Sequence, residues 1–438
     1  MQTVKGTNTP TNTTNAFRFL VYSLIGIFMF FVPIKIKGNS TIPIDHMVNY
    51  LKAASPGLVN IYALIVIILG GLYPFIKKTW NKDKVTLVFS ILKLMGIVVG
   101  IMIFFKIGPA WMFEADMAPF LFNKLVIPVG VIVPIGSAFL AFLVGYGLME
   151  FTGALVQPIM RPVWKTPGRS AIDAVASFVG SYSIALLITN RVYKEGKYTA
   201  KEAAIIATGF STVSATFMII ICKTLNIMNL WNTYFWVTLI VTFIVTAITA
   251  RIYPLSKKPG TYYTGVGDPE PIAQGNRIKY AWNEAMKSAS ASVSLGKNIK
   301  INLRDGFIMA MGILPSILSV GFLGLVLAKY TPVFDVLGYI FYPFTLALKI
   351  PEPLLAAKAS SVEIAEMFLP AMLVVQAPLV TKFIIAVVSV SSILFFSASI
   401  PCILSTDIPI SLTDIIIIWI ERTIFTLILT APIAFFIL

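Results

Sequence analysis

Runs of about twenty apolar residues recur along this chain, and they constrain its fold more than any other feature. A helix needs about that many apolar residues to cross a bilayer. Charged residues make up 12% of the chain, too few to cover a soluble surface. The sequence therefore predicts an all-α polytopic membrane protein with about nine transmembrane helices, at residues 17–34, 58–76, 85–105, 125–149, 201–221, 233–250, 307–327, 381–404 and 415–438.

The formal net charge of +15 describes orientation in the membrane rather than a nucleic-acid partner. Four lysines fall between residues 77 and 84, and nine basic residues fall between 251 and 304. Basic loops face the cytoplasm by the positive-inside rule. We therefore expect a multi-pass protein of the cell membrane, surrounded by the lipid bilayer, with a cytoplasmic N-terminus, an external C-terminus and no nucleic-acid partner.

Two stretches of the chain repeat each other at an offset of 184 residues. Lys165 and Pro167 are followed by Ser177, and the second stretch places Lys349, Pro351 and Ser361 at the same spacing. Each repeat contains three full spans, so the second enters the membrane upside down relative to the first. Inverted repeats of this kind are typical of secondary transporters, which bind substrate between broken segments of the two halves.

Two apolar stretches, 168–195 and 352–377, are too polar and too broken to be ordinary spans. Each must begin and end on the same side of the membrane, which predicts two re-entrant hairpins whose tips line a pathway. The predicted organisation is N-terminal scaffold helices at 1–124, a first repeat at 125–250, a cytoplasmic loop at 251–305 and a second, inverted repeat at 306–438.

Glu363 and Glu366 lie three residues apart in the second hairpin, on one face of a helix. A carboxylate at bilayer depth costs roughly 3 kcal/mol on insertion scales, so it usually faces a cavity or a partner. We interpret the pair as an ion-coupling site for Na⁺ or H⁺, or as a clamp for a cationic substrate group. The alternative is a shallow hairpin with both acids in water.

Small hydroxyl residues form two further candidate sites, one in each repeat, and their oxygens suit either a ligand or close helix packing. These residues are Ser211, Thr212 and Ser214 in the first repeat, and Ser391 and Ser392 in the second. The chain has one histidine and two cysteines, too few for a Cys/His metal centre. We therefore expect no metal site, no catalytic residues and no cofactor beyond the coupling ion.

The paired repeats, each with an amphipathic helix, a Pro-containing turn, a hairpin and a Ser-rich span, resemble the nucleoside-recognition (Gate) domain superfamily, and the whole chain resembles its YjiH-type members. The resemblance implies a scaffold with a moving transport domain, an elevator-type mechanism and a homo-oligomer, either a dimer or a trimer. It also implies that substrate contacts the hairpin tips, which adds Ser177, Gly180, Ser181, Ser360 and Ser361 to the candidates. The first tip lacks the Gly-Gln-Thr-Glu type of sequence that binds nucleobases, so the resemblance does not fix the substrate.

The sequence leaves three functions in competition. The first is a secondary active transporter for a small polar solute such as a nucleoside, organic acid, amino acid or dipeptide. The second is a channel, or a gate-type membrane subunit of a multi-component transport system. A membrane-embedded enzyme is disfavoured, because no catalytic constellation is present.

Overall fold

The computed structural model describes residues 13–32, 34–36, 39–81, 84–179, 182–213, 215–270 and 276–438. Most of these residues are helical, and the strands among them are one short antiparallel pair. The N-terminal part comprises α1 (Thr13–Phe31), β1 (Ile34–Ile36), β2 (Asn39–Thr41), α2 (Pro43–Ala54), α3 (Pro56–Ile76) and α4 (Lys84–Phe105).

The next eight helices are α5, which precedes the first repeat, and the seven helices of that repeat, with a π-helical turn before the second of the eight. They are α5 (Ala118–Phe120), α6 (Ile127–Val144), α7 (Leu148–Trp164), α8 (Ala171–Val179), α9 (Tyr182–Lys194), α10 (Ala200–Gly209), α11 (Ala215–Thr224) and α12 (Trp231–Thr249). A surface helix, α13 (Arg277–Ala291), then packs against α7.

The second repeat opens with a helix of 36 residues and closes with one of 26. Its helices are α14 (Leu295–Tyr330), α15 (Val333–Gly338), α16 (Tyr342–Ala347), α17 (Pro353–Val362), α18 (Leu369–Leu373), α19 (Leu379–Ser391), α20 (Ser399–Leu404) and α21 (Leu412–Ile437).

Six helices in the described part of the chain are long and apolar enough to cross a membrane. They include α1, α3, α4, α6, α12 and α14. At a rise of about 1.5 Å per residue, α21 is also long enough, at about 39 Å. The predicted all-α polytopic membrane fold is therefore confirmed.

The repeat is visible in the order and in the backbone of the helices. The pair α8–α9 corresponds to α17–α18, and the pair α10–α11 corresponds to α19–α20. Lys165 and Lys349, which the offset of 184 aligns, both adopt the left-handed conformation, with φ of 59° and 53°. The helices α6 and α14 pack antiparallel, since Gly130 lies against Leu314 and Gly306 lies against Ser137. The second unit is thus inverted relative to the first.

Two predicted spans are not continuous helices. The span at 201–221 is interrupted between α10 and α11, and the span at 381–404 is interrupted between α19 and α20. Both breaks occur at the hydroxyl-rich segments, where side chains take over the bonding of backbone groups that a helix would satisfy internally. The predicted spans missed these breaks, because the hydropathy of a segment does not show whether its helix is continuous.

The N-terminal helices and α14 approach each other at the level of the backbone. A Cβ atom added at Gly70 of α3 would lie 1.9 Å from the carbonyl oxygen of Met311. A Cβ atom added at Gly96 of α4 would lie 2.1 Å from the carbonyl oxygen of Pro315. Close packing through small residues is the usual means of helix association in lipid, where no hydrophobic effect holds helices together. These contacts define a scaffold of α3, α4, α6 and α14.

We expect Gly96→Ala to lower the free energy of unfolding by about 1–3 kcal/mol, since the new methyl group meets fixed backbone. The matched control is Gly136→Ala in α6, where an added Cβ atom has nothing within 4 Å and helix propensity improves. Denaturant titration of both variants in detergent measures the difference. Equal stability of the two variants would contradict this packing.

Candidate transport site

A cavity of about 460 Å³ lies between the scaffold and the hairpins. Scaffold residues on one side include Lys124, Pro128 and Ile132, and Asp45 of α2 joins them. The opposite wall comes from both repeats and comprises Tyr182 and Ser183 of α9, Val213 of the first break, Phe217 and Ile220 of α11, the segment Glu366–Phe368, and Phe395 of the second break. Both inverted units therefore contribute to one site.

Glu366 places a carboxylate in the wall of this cavity. Glu366 is 1% exposed, and its Oε2 atom accepts hydrogen bonds from the backbone N–H groups of Phe368 and Leu369, at 2.7 and 3.2 Å. These two donors fix the side chain at the start of α18, where helix N–H groups favour a negative charge. The turn that follows α17 thus orients one predicted ion-coupling residue towards the cavity.

Glu363 is the second predicted ion-coupling residue, and it lies behind the cavity wall against α21. Its Oε2 atom accepts a hydrogen bond of 2.6 Å from Nε1 of Trp419. Its Oε1 atom is buried and has no hydrogen-bond partner among the described residues. The fully buried guanidinium of Arg422 attracts it electrostatically without forming a direct ion pair. Lys358, which is close in sequence, pairs with Asp335 instead.

Arg422 connects the ends of the two broken helices. Its Nε and Nη2 atoms donate to the carbonyl of Ser391, at 3.0 and 2.7 Å. Its Nη1 atom donates to Oγ1 of Thr246 at 3.0 Å, and Thr246 donates in turn to the carbonyl of Gly209 at 2.8 Å. Ser391 ends α19 and Gly209 ends α10, so one side chain serves both repeats.

The second break is also hydrogen-bonded to the tip of hairpin two, which is the turn 363–368 between α17 and α18. The backbone N–H groups of Phe396 and Ser397 donate to the carbonyls of Ile364 and Ala365, at 2.6 and 2.9 Å. Ser399 accepts from the N–H of Phe395 and donates to a carbonyl of the same break. Non-helical backbone at membrane depth is thereby satisfied by protein rather than by lipid or water.

In the first repeat, two of the predicted hydroxyl residues donate hydrogen bonds to backbone carbonyls. Ser177 donates to the carbonyl of Thr212 at 2.5 Å, and Thr212 donates to the carbonyl of Val390 at 3.3 Å. Ser211 is buried and its hydroxyl has no partner among the described residues. Three candidates lie outside the described residues, namely Gly180, Ser181 and Ser214.

In the second repeat, the predicted hydroxyl residues are buried and bonded within the protein. Ser360 donates to a carbonyl of its own helix, and Ser361 donates to the carbonyl of Phe334 in α15 at 2.7 Å. Ser391 and Ser392 share hydrogen bonds with threonine hydroxyls of α21. Of the described candidates, Glu366 is the one that lines the cavity.

The cavity contains polar residues that the sequence analysis did not single out. Tyr182 follows the tip of hairpin one directly, and its buried hydroxyl has no hydrogen-bond partner among the described residues. Asp45 and Lys124 come from segments assigned only to the scaffold. Of these three residues, Tyr182 could most easily have been predicted. A tyrosine in an apolar segment buries a hydroxyl group that usually needs a hydrogen-bond partner.

The base of hairpin one is held by the segment that follows α12. The carboxylate of Glu270 accepts from the N–H groups of Gly168 and Arg169, at 2.8 and 3.0 Å, and from Gln157 at 2.8 Å. Deeper in the hairpin, Asp173 accepts from Thr189 at 2.6 Å. Its second oxygen accepts from the hydroxyl of Tyr198 at 2.7 Å. Both carboxylate oxygens of Asp173 are thus engaged within the protein rather than offered to a ligand.

A charged cluster closes the turn after hairpin one. Lys197 donates to Glu150 at 2.8 Å and pairs with Glu195 at 3.4 Å. Burial opposes the charge of Lys197, yet the two carboxylates outweigh it and raise the pKa of the ammonium group above its usual value. The cluster therefore stays ionised and fixes this turn against α7.

Comparisons with known proteins found three similarities. A family model described as nucleoside recognition matches residues 126–228. An uncharacterized protein of Alkalihalophilus pseudofirmus is 31% identical over 443 residues, covering 95% of this chain and 93% of its own. A solved structure of a CNTnw variant in an outward-facing state has a TM-score of 0.47 and 14% identity, and covers 95% of this chain and 99% of its own.

We expect Trp419→Phe to lower the free energy of unfolding by about 1–3 kcal/mol, because it removes the hydrogen bond to a fully buried carboxylate. The control Trp236→Phe, at a site 58% exposed on α12, should change it by less than about 0.5 kcal/mol. In a Glu363→Gln background the loss at Trp419 should be smaller, as measured by a double-mutant cycle. An equal loss in both backgrounds would show that the ring, rather than its N–H group, provides the stability.

Proposed function

The chain belongs to the nucleoside-recognition (Gate) family, and we propose that it is a secondary active transporter that moves a small polar metabolite across the cell membrane, driven by Na⁺ or H⁺. The observation that carries this proposal is the cavity in which the two inverted units and the scaffold meet around Glu366. A cavity at such an interface is where transporters with inverted repeats bind substrate.

The dimensions of the cavity support a metabolite rather than an ion alone. Its volume of about 460 Å³ falls within the roughly 300–1,000 Å³ of small-molecule sites. A channel for inorganic ions needs neither this volume nor the large apolar wall. Both features support a carrier over the alternative of a channel or gate-type subunit.

We place ion coupling at the tip of hairpin two, which carries Glu363 and Glu366. Glu363 has one buried oxygen without a partner among the described residues, and a buried charge in that state is costly. A proton or Na⁺ bound there removes the cost. The ion then stabilises the hydrogen bonds between the tip and the second break. Since the tip and this break both line the cavity, ion binding would affect the shape of the cavity.

We propose an elevator mechanism and assign the orientation from charge. The cavity separates α2 and α6 from the hairpins and breaks, so a sliding motion along this surface would carry the substrate with the hairpins. The loop after α3 lies at the same end of the molecule as the start of α14, because α3 and α14 run antiparallel. Both segments are rich in lysine, which supports a cytoplasmic N-terminus and an external C-terminus. A homo-oligomer would anchor such a scaffold in the membrane.

Counterflow in proteoliposomes tests the carrier function. Vesicles loaded with an unlabelled candidate substrate should transiently accumulate the labelled compound, because a carrier exchanges one molecule for another. Candidates are nucleosides, organic acids, amino acids, dipeptides and amines. Protein-free vesicles are the control. Flux of a labelled compound without transient accumulation would establish a channel instead.

We expect Glu363→Gln to abolish the dependence of uptake on an ion gradient while leaving exchange in place, since the neutral amide cannot take up a proton and provides no negative charge to balance Na⁺. The matched control is Glu352→Gln, an exposed residue at the start of the same hairpin. Uptake measured with and without Na⁺ and pH gradients provides the comparison. Unchanged gradient dependence in Glu363→Gln would exclude this residue as the coupling site.

Thiol labelling tests the elevator. Ile220→Cys places a reactive group on the hairpin side of the cavity, and Leu125→Cys places one on the scaffold side. The native Cys222 and Cys402 are buried, so their background should be low. An impermeant reagent applied to the cytoplasmic side should reach the thiol of the Ile220→Cys variant only when substrate and coupling ion drive the inward state. The thiol of the Leu125→Cys variant should not change side, and parallel changes in both variants would argue against a sliding domain.

A further inference from the structure

The electrostatics of the cavity give information about its substrate. Glu366 forms no ion pair with lysine or arginine within the described part of the chain. Lys358 is occupied by Asp335, and Arg422 is directed to the breaks and to Glu363. A buried carboxylate without a counter-ion is strongly unfavourable. A ligand that brings a positive charge into this cavity would offset that cost.

Tyr182 provides a second polar group for the same ligand. Its residue is 7% exposed, its hydroxyl lacks a partner among the described residues, and it lines the cavity with Glu366. Its ring packs edge-on against Phe395, with centroids 5.8 Å apart, which fixes the direction of the hydroxyl. A phenol oxygen accepts a hydrogen bond from an ammonium group that also contacts the carboxylate.

Apart from Ser183, Asp45 and Lys124, the rest of the cavity wall is apolar and aromatic. Phe217 and Phe368 form an edge-to-face pair with centroids 6.1 Å apart, and Phe395 adds a third ring. Aromatic faces attract a cation that lies within about 6 Å. A sugar or nucleoside would leave several hydroxyl groups unbonded against these rings, which is unfavourable. Asp45 and Lys124 also line the cavity and have opposite formal charges, so the formal charge that remains in the lining is that of Glu366.

We propose that the substrate class is a small primary amine with an apolar or aromatic body, whose ammonium group binds Glu366 and Tyr182. This inference rests on the proposed transporter function and assigns its substrate. The carboxylates then have separate roles, since Glu363 serves the coupling ion behind the wall and Glu366 neutralises the substrate in front of it.

Calorimetry on the purified full-length protein tests the proposal with four probes: phenethylamine, 2-phenylethanol, phenylacetate and uridine. We expect phenethylamine to bind at least about tenfold more tightly than the alcohol, because its ammonium group forms a charge-assisted hydrogen bond with the carboxylate of Glu366. Phenylacetate and uridine should not compete with it. Tighter binding of uridine or phenylacetate than of the amine would overturn the proposal.

Variants separate recognition from folding. Glu366→Gln should weaken amine binding by about tenfold or more, and Tyr182→Phe should weaken it by about fivefold, with little effect on binding of the alcohol. The control is Glu352→Gln, which should bind as the native protein does. If Glu366→Gln fails to fold, Tyr182→Phe remains decisive, and unchanged amine affinity in that variant contradicts the assignment.

Two further arms distinguish this inference from the proposed function. If Na⁺ alone gives a binding signal that Glu366→Gln removes, and no amine binds, Glu366 is an inorganic-cation site and the substrate assignment is wrong. Amine binding without counterflow would support the substrate class and refute the transporter function. Counterflow of uridine without amine binding would do the reverse.

Discussion

The need to bond the backbone of two broken helices, at a depth where lipid offers no partner, governs the rest of this structure. Each break exposes carbonyl and N–H groups whose desolvation costs several kcal/mol when they stay unpaired. Thr246 bonds the end of α10, Arg422 bonds the end of α19, and the tip of hairpin two bonds the second break through main-chain pairs. Hairpins, breaks and α21 are therefore positioned as one unit.

This constraint explains why an arginine lies fully buried among apolar helices. A guanidinium group offers five N–H donors in a rigid plane, which suits a carbonyl and a hydroxyl on different helices. Its charge has to be balanced, and Glu363 supplies the opposite charge nearby. The balance is incomplete, because Glu363 takes its direct hydrogen bond from Trp419 and leaves one oxygen without a partner among the described residues. The coupling ion that we propose at Glu363 would bind to this second oxygen and complete the balance of charge.

The sequence predicts the membrane class, the order of elements and the internal repeat, since these depend on local composition and spacing. Lys165 and Lys349 are an example, because these aligned residues both adopt the left-handed backbone conformation. The breaks and the cavity were not predictable in this way. Trp419 and Glu363 are 56 residues apart, and no periodic pattern in the sequence predicts the hydrogen bond between them. Hydroxyl residues were ambiguous for a physical reason, because Ser360 and Ser361 satisfy backbone carbonyls with the same groups that would bind a ligand.

The two repeats share a backbone plan but differ in their charges, and this difference has a mechanistic consequence. Asp173 of hairpin one is fully bonded to Thr189 and Tyr198, whereas Glu363 and Glu366 of hairpin two each keep an oxygen outside the hydrogen bonds described. A symmetric pair of hairpins with equivalent ligands would respond to substrate and ion in the same way from both sides of the membrane. Since the available ionisable groups lie in the second unit, the ion binding that we propose would act on hairpin two and its adjoining break. Glu270 holds the base of hairpin one through hydrogen bonds. This hairpin contributes Tyr182 to the lining of the same cavity. In the mechanism that we propose, the symmetry of the two units provides the architecture for alternating access, and the unequal placement of charge provides the site at which the coupling ion acts.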